Sequence, residues 1–146
     1  MKPTRRNVLK AVASVPFILP SRIWAAETPP SDRLGVGFIG MGIQSRGLLN
    51  SFLHEEDVRV LAVCDVDTTR REAARDRVDE HYSDYPASGR PGCGAYDDFR
   101  ELLGRRDVDA VCIATPDHWH AIVTLAALRA GKDVYCEKPM MHSIDE

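Results

Sequence analysis

The run Gly37-Phe38-Ile39-Gly40-Met41-Gly42 constrains this 146-residue chain more than any other feature. It closes an apolar stretch that begins at Leu34 and reads as a strand, and it opens a helical pattern that runs to about Leu53. Glycines at such a hinge let the backbone turn tightly and let a pyrophosphate approach the main chain, with its charge resting on the unpaired N–H groups of the helix. Ser45 stands where a third glycine is usual, and Gly47 lies two residues further on. A serine is small enough for close packing of helix on strand. A glycine triplet alone is a common pattern, so its surroundings carry the argument.

Downstream, short apolar runs alternate with helical ones. Residues 58–64 are almost continuously apolar, as in a strand buried on both faces. Residues 68–82 form a charged helix with a thin stripe of Ala73, Ala74, Arg77 and Val78. A loop over 83–94 rich in Gly, Pro and Ser leads to a short strand near Ala95 and a helix over 97–103. Residues 108–114 read as a strand and 120–130 as an apolar helix closed by Gly131, with a last strand over 133–136. Strands separated by helices predict an α/β, Rossmann-type, doubly wound parallel sheet over residues 34–146.

Three further groups lie at predicted strand ends, where ligands of such sheets bind. Asp65 ends the second strand about 20 residues past the glycines, where an acid accepts hydrogen bonds from the adenosine ribose. Its charge would repel a 2′-phosphate, so NAD is expected over NADP. Asp67 or Thr68 is left to cap the next helix. In Ala114-Thr115-Pro116-Asp117-His118-Trp119-His120, Pro116 sets the turn and Asp117 is placed to cap the following helix. The histidines read as structural or as lining of a nicotinamide pocket; no third ligand at suitable spacing supports a metal. In Cys136-Glu137-Lys138-Pro139 the lysine is placed to stabilise negative charge developing on a substrate alkoxide, or else pairs with Glu137 at the surface. Cys64, Cys93, Cys112 and Cys136 show no metal-ligand spacing and read as reduced, with a disulfide through Cys93 as the alternative.

Taken in order, GFIGMG, AVCDVD, YDDFRELL, DVDAVCIATPDHWH and AGKDVYCEKPM resemble the glucose–fructose oxidoreductase/inositol dehydrogenase (Gfo/Idh/MocA) family. The resemblance implies that Gly40, Gly42 and Ile43 contact the cofactor backbone, and Asp65 with Arg70 its adenosine end. It places Thr115, Pro116 and His120 beside the nicotinamide ribose, with Glu137 and the catalytic Lys138 at the active centre. There the lysine assists hydride transfer between nicotinamide and a sugar or cyclitol carbon. Members of the family continue into an α/β substrate domain that supplies an aspartate and a histidine base. This chain stops at Glu146, just into the helix after EKP, so that domain is expected to be missing, the isolated chain inactive, and oligomers a property of full-length relatives. Two alternatives stand beside the dehydrogenase: a non-catalytic nucleotide-binding remnant, and a glycosidase that uses held NAD in a transient oxidation. Glu137-Lys138-Pro139 weighs against the glycosidase.

The N-terminus reads separately. Residues 1–26 carry five basic side chains (Lys2, Arg5, Arg6, Lys10 and Arg22) and no acidic one. The rest holds the other 14 of 19 basic residues against all 22 acidic ones, a net charge of −8, which argues against nucleic acid as a partner. Arg5-Arg6 stand before a short apolar run, Ala11 to Leu19, far below the ~20 residues that span a bilayer, and Trp24-Ala25-Ala26 supplies small residues for cleavage. The order matches a twin-arginine signal peptide over 1–26, followed by a linker over 27–33. The mature protein would then be periplasmic or extracellular, with no membrane attachment after cleavage. Replacing Arg5 and Arg6 together with lysine is expected to retain a reporter fusion in the cytoplasm. Unchanged export in a fractionation assay would exclude the twin-arginine route.

Overall fold

The computed structural model describes residues 33–83 and 92–140. The segment expected to be a signal peptide (1–26), nearly all of the expected linker, most of the 83–94 loop and residues 141–146 lie outside the described residues. Five strands form one parallel sheet: β1 (Leu34–Ile39), β2 (Val58–Cys64), β3 (Gly94–Tyr96), β4 (Ala110–Ile113) and β5 (Asp133–Cys136), in the order β3-β2-β1-β4-β5. Four helices connect them: α1 (Ile43–Leu53), α2 (Thr68–Tyr82), α3 (Phe99–Leu103) and α4 (Asp117–Arg129). The chain winds outward from β1 in both directions, so the doubly wound sheet expected from the sequence is the one observed.

That winding puts apolar side chains on both faces. Val36, Phe38, Val60 and Val63 join Met41, Leu49, Leu53, Ala74 and Val78 in a core under α1 and α2. Ile39, Ala62, Val111 and Ile113 join Leu102, Leu103, Val123 and Ala127 on the opposite face, under α3 and α4. The alternation along β1 and β4 follows from the pleat, which sends successive side chains to opposite faces; in β2 a register shift between Val60 and Ala62 interrupts it, so Val60 and Val63 share a face. Of α2 only Ala74 and Val78 are buried, and its outer face carries the ion pairs Arg75–Glu72, Arg75–Asp76 at 2.7 Å and Arg77–Glu80 at 3.4 Å. On α4, Trp119, Ile122, Leu125 and Leu128 stay exposed.

Element boundaries differ from the sequence expectation at three places, each for a local reason. The helix expected from residue 97 begins at Phe99, because the Asp98 carboxylate accepts the Arg100 N–H at 2.8 Å and caps it. The regular ladder of β4 begins at Ala110 rather than 108, while the Asp109 carboxylate accepts the Gly35 N–H at 2.8 Å. The helix expected from residue 120 begins at Asp117, since Pro116 is already extended at φ −57° and ψ 147° and its carbonyl accepts the Trp119 N–H at 2.9 Å. Asp117 therefore lies within the first turn, and its side chain does not cap. Asp67 does cap α2, accepting the Arg70 N–H at 3.1 Å. The four cysteines are free thiols, Cys64 and Cys112 buried.

Leu102 is fully buried between α3 and the sheet. Leu102→Ala is expected to destabilise the domain by about 2–5 kcal/mol, from lost burial plus an unfilled cavity. Urea unfolding measures it, and a loss below about 1 kcal/mol would mean the site collapses or the packing is different.

Candidate dinucleotide site

The carboxyl ends of β1, β2 and β4 meet at one edge of the sheet, where the strand order reverses, and a groove of about 660 Å³ opens there. Gly40, Gly42 and Ile43 line it from the first turn, Asp65 and Arg70 from the second, and Thr115 and Pro116 from the turn after β4. Seven residues singled out in the sequence are thus brought together by the fold.

The two central glycines have different tasks. Gly40 lies at φ +87°, and a β-carbon there would stand 2.8 Å from both the Ala114 carbonyl oxygen and the Thr115 nitrogen. Only glycine allows the first turn to press against the fourth. Gly42 has an ordinary φ of −69°, and a β-carbon on it would meet nothing within 4 Å. It faces open space in front of α1. No side chain caps α1, and its first turn holds no acidic residue. Its leading N–H groups and the positive end of its dipole are left for an anion. Ser45 is fully buried beneath this turn, its hydroxyl donating to the Met41 sulfur at 3.7 Å, so the third small position serves close packing as expected.

Asp65 ties two turns together. One oxygen accepts the Met41 N–H at 2.6 Å and the other the Asp67 N–H at 2.8 Å, and Arg71 donates to its backbone carbonyl at 2.7 Å. An ionised carboxylate has about four acceptor sites, so each oxygen keeps capacity for a ribose hydroxyl. Arg70 is exposed beside it and pairs with Asp67 at 3.5 Å. Burial, together with the charges of Asp65 and Asp98, pushes the Cys64 thiol up to about 12, so this groove-lining sulfur stays protonated. The Thr115 hydroxyl is buried without a hydrogen-bond partner. Such an orphan in the lining of the groove is a position for a ligand group.

The remaining predicted residues stand apart from the groove lining. His120 is buried, its Nδ1 2.6 Å from the Pro139 carbonyl oxygen and its Nε2 2.9 Å from that of Thr115. Glu137 is half-buried; its N–H donates to the Ile113 carbonyl at 2.9 Å, and its Oε1 accepts from the Tyr135 hydroxyl at 3.2 Å. Lys138 is exposed, and its peptide bond to Pro139 is cis. The sequence reading missed Asp97, Asp98, Phe99 and Arg100, which line the groove from the β3–α3 turn, and Trp119. The first four lie in the YDDFRELL segment, to which the sequence reading assigned no binding role, and they reach the site because β3 pairs with β2. Trp119 was visible as an aromatic beside two histidines, without a reason to favour it. Among the described residues no group of three His, Cys, Asp or Glu is placed to hold a metal, and no helix is long and apolar enough to cross a membrane.

Comparison with known proteins agrees with this geometry. Residues 34–146 match the GFO_IDH_MocA profile, described as an oxidoreductase family with an NAD-binding Rossmann fold. A glycosyl hydrolase family 109 protein of Shewanella sp. (strain ANA-3) is 36% identical over 137 residues, covering 94% of this chain and 29% of the relative. The chain therefore spans less than a third of that relative's length. KijD10, a 3-ketoreductase from Actinomadura kijaniata solved in complex with TDP-benzene and NADP, is 30% identical with a TM-score of 0.62, over 75% of this chain and 31% of its own. The scyllo-inositol dehydrogenase of Lactobacillus casei, solved with NAD(H) and scyllo-inositol, shares the fold at 22% identity and a TM-score of 0.65, over 77% of this chain and 30% of its own.

The two glycines give a paired test. Gly40→Ala is expected to destabilise the fold, because its new β-carbon meets backbone atoms at 2.8 Å and a left-handed φ together. Gly42→Ala is expected to leave the melting temperature within about 2–4 °C, an order set by changes under 1 kcal/mol, while weakening dinucleotide binding at least tenfold, about 1.4 kcal/mol. Equal melting temperatures for the two variants would refute this division of labour.

Proposed function

Starting from the Gfo/Idh/MocA oxidoreductase family, to which this chain belongs through its NAD-binding Rossmann domain, we propose that it binds NAD in the groove between β1, β2 and β4. The observation that carries this is Gly42, open to solvent at the uncapped N-terminus of α1 and one turn away from Asp65. The N–H groups behind Gly42 and Ile43 would receive the pyrophosphate, Asp65 the adenosine ribose, and Thr115 and Pro116 the nicotinamide half. The Thr115 hydroxyl, which lacks a partner, gains one there. Asp65 favours NAD by repelling a 2′-phosphate, while Arg70 acts in the opposite sense; the backbone-anchored position of Asp65 supports NAD.

We further propose that the protein exchanges hydride between nicotinamide and the CH–OH carbon of a sugar or cyclitol. Bound NAD supplies the hydride acceptor. Lys138, exposed at the end of β5, presents Nζ to the substrate hydroxyl and lowers the cost of negative charge on that oxygen as its proton leaves. Small polyhydroxylated substrates are supported by the scyllo-inositol dehydrogenase and 3-ketoreductase activities named for related structures. A second reading, an NAD-dependent glycosidase, is supported by the family 109 relative at 36% identity. Both begin with oxidation of a sugar carbon; they differ in whether NADH accumulates or is consumed again within the turnover. The basic, acid-free leader and its Arg5-Arg6 pair support export through the twin-arginine route.

Calorimetric titration is expected to give tighter binding for NAD than for NADP. Equal or stronger NADP binding would remove Asp65 from its assigned role. In the full-length protein Lys138→Ala is expected to lower turnover by about 10²–10⁴-fold, the range for general acid–base assistance, with NAD affinity little changed. Full turnover in that variant would leave the cofactor site standing and dismiss the lysine.

A further inference from the structure

Lys138 stands at the end of β5, yet its side chain has no hydrogen-bond or ion-pair partner among the described residues. Its position must come from the backbone on either side. Upstream, the Glu137 N–H is held by the Ile113 carbonyl at 2.9 Å, an extension of the β4–β5 ladder. Downstream, the contact is the Pro139 carbonyl on His120 Nδ1 at 2.6 Å. The other ring nitrogen of His120 faces the Thr115 carbonyl at 2.9 Å, so one imidazole spans the turn after β4 and the turn after β5. The ring is 1% exposed, and a polar ring that deep is costly unless its nitrogens are engaged.

We propose that His120 is a positioning residue: it ties the Lys138–Pro139 turn to the Thr115 turn and so fixes where Lys138 stands relative to the groove. This rests on the reading of Lys138 as the catalytic lysine. His120 itself faces neither cofactor nor substrate, because the ring is buried with each nitrogen against a backbone carbonyl. Carbonyl oxygens only accept, so the ring must donate to whichever turn it holds. The ring donates from the nitrogen that carries its proton, and the carbonyls facing its two nitrogens hold it between the turns. The sequence makes the arrangement possible by placing His120 in the first turn of α4, five residues after Thr115, where its side chain points back toward the N-terminal end of the helix.

Asn and Gln separate the two halves of the tether. The amide nitrogen of Asn falls near the position of Nδ1, and that of Gln near Nε2. Hydrogen exchange of the full chain, read by mass spectrometry on peptides spanning 136–140 and 113–117, is the measurement. His120→Leu is expected to speed exchange in both peptides by roughly three- to tenfold, the value of one ordinary hydrogen bond, since removing the ring frees the turn it donates to and takes away the support it gives the other. His120→Asn should restore protection at 136–140 alone, and His120→Gln at 113–117 alone. If His120→Leu does not fold, the opposite patterns of the Asn and Gln variants carry the test. A uniform rise across β4 and α4 in every variant, or no change at 136–140, would overturn the tether and leave His120 as packing. NAD titration of the unsubstituted protein keeps the two claims apart. Absent binding removes the cofactor reading while the exchange pattern stands, and intact binding with an unchanged pattern removes the tether alone.

Discussion

The Asp65 carboxylate holding the Met41 and Asp67 N–H groups is the contact on which the site depends. It joins the turn leaving β1 to the turn leaving β2, so the start of α1 and the start of α2 are referred to a single charged group. Hydrogen bonds to an ionised acceptor contribute about 1.5–3 kcal/mol each, more than neutral ones, and they are directional. Gly40 complements this on the other side, its N–H donating to the Cys64 carbonyl at 2.8 Å while its bare α-carbon lies against Ala114 and Thr115. Three strand ends are drawn together by these contacts, and the groove is the space left between them.

The electrostatics of that groove are uneven. Asp65, Asp67, Asp97 and Asp98 gather near its β2–β3 end, and after burial itself Asp65, Asp98 and Asp97 help keep the Cys64 thiol protonated. A dinucleotide is itself an anion, so its attraction cannot come from the net charge of the body. The favourable field is local: the uncapped N-terminus of α1, with Arg70 and Arg100 at the rim. Part of the aspartate charge is already used, since Asp98 is held below its usual carboxylate range by the Arg100 N–H and side chain and Asp67 caps α2. The acids therefore shape turns and offer acceptors to ribose hydroxyls, and the helix end is left to meet the phosphates.

Much of the fold was legible along the chain. The near-continuous apolar runs of β2 and β4, the glycine hinge after β1 and Gly131 after α4 each follow from local sterics or burial, and each lies where the sequence placed it to within a few residues. The boundary differences came from side chains that choose between local partners. Asp98 caps a helix that the residue pattern alone would start earlier, and Asp117 lies inside a turn that Pro116 had already begun. The β3–α3 turn was missed as a groove wall because its neighbours in space are some thirty residues away in sequence, brought close by strand pairing.

By itself, the sequence determined the strand–helix alternation, the glycine hinge and the acid at the end of β2, because these depend on short-range sterics and on the period of apolar residues. It also carried the resemblance of the whole 34–146 segment to its family. Tertiary structure decided how the same residues divide their work. Gly40 is needed for a contact with a turn 74 residues away, whereas Gly42 leaves space for a ligand. His120 faces two carbonyls under the groove rather than the groove itself. No pattern along the chain distinguishes these cases, since hydrogen-bond partners from separate strands are chosen only when the sheet has brought their ends to one edge.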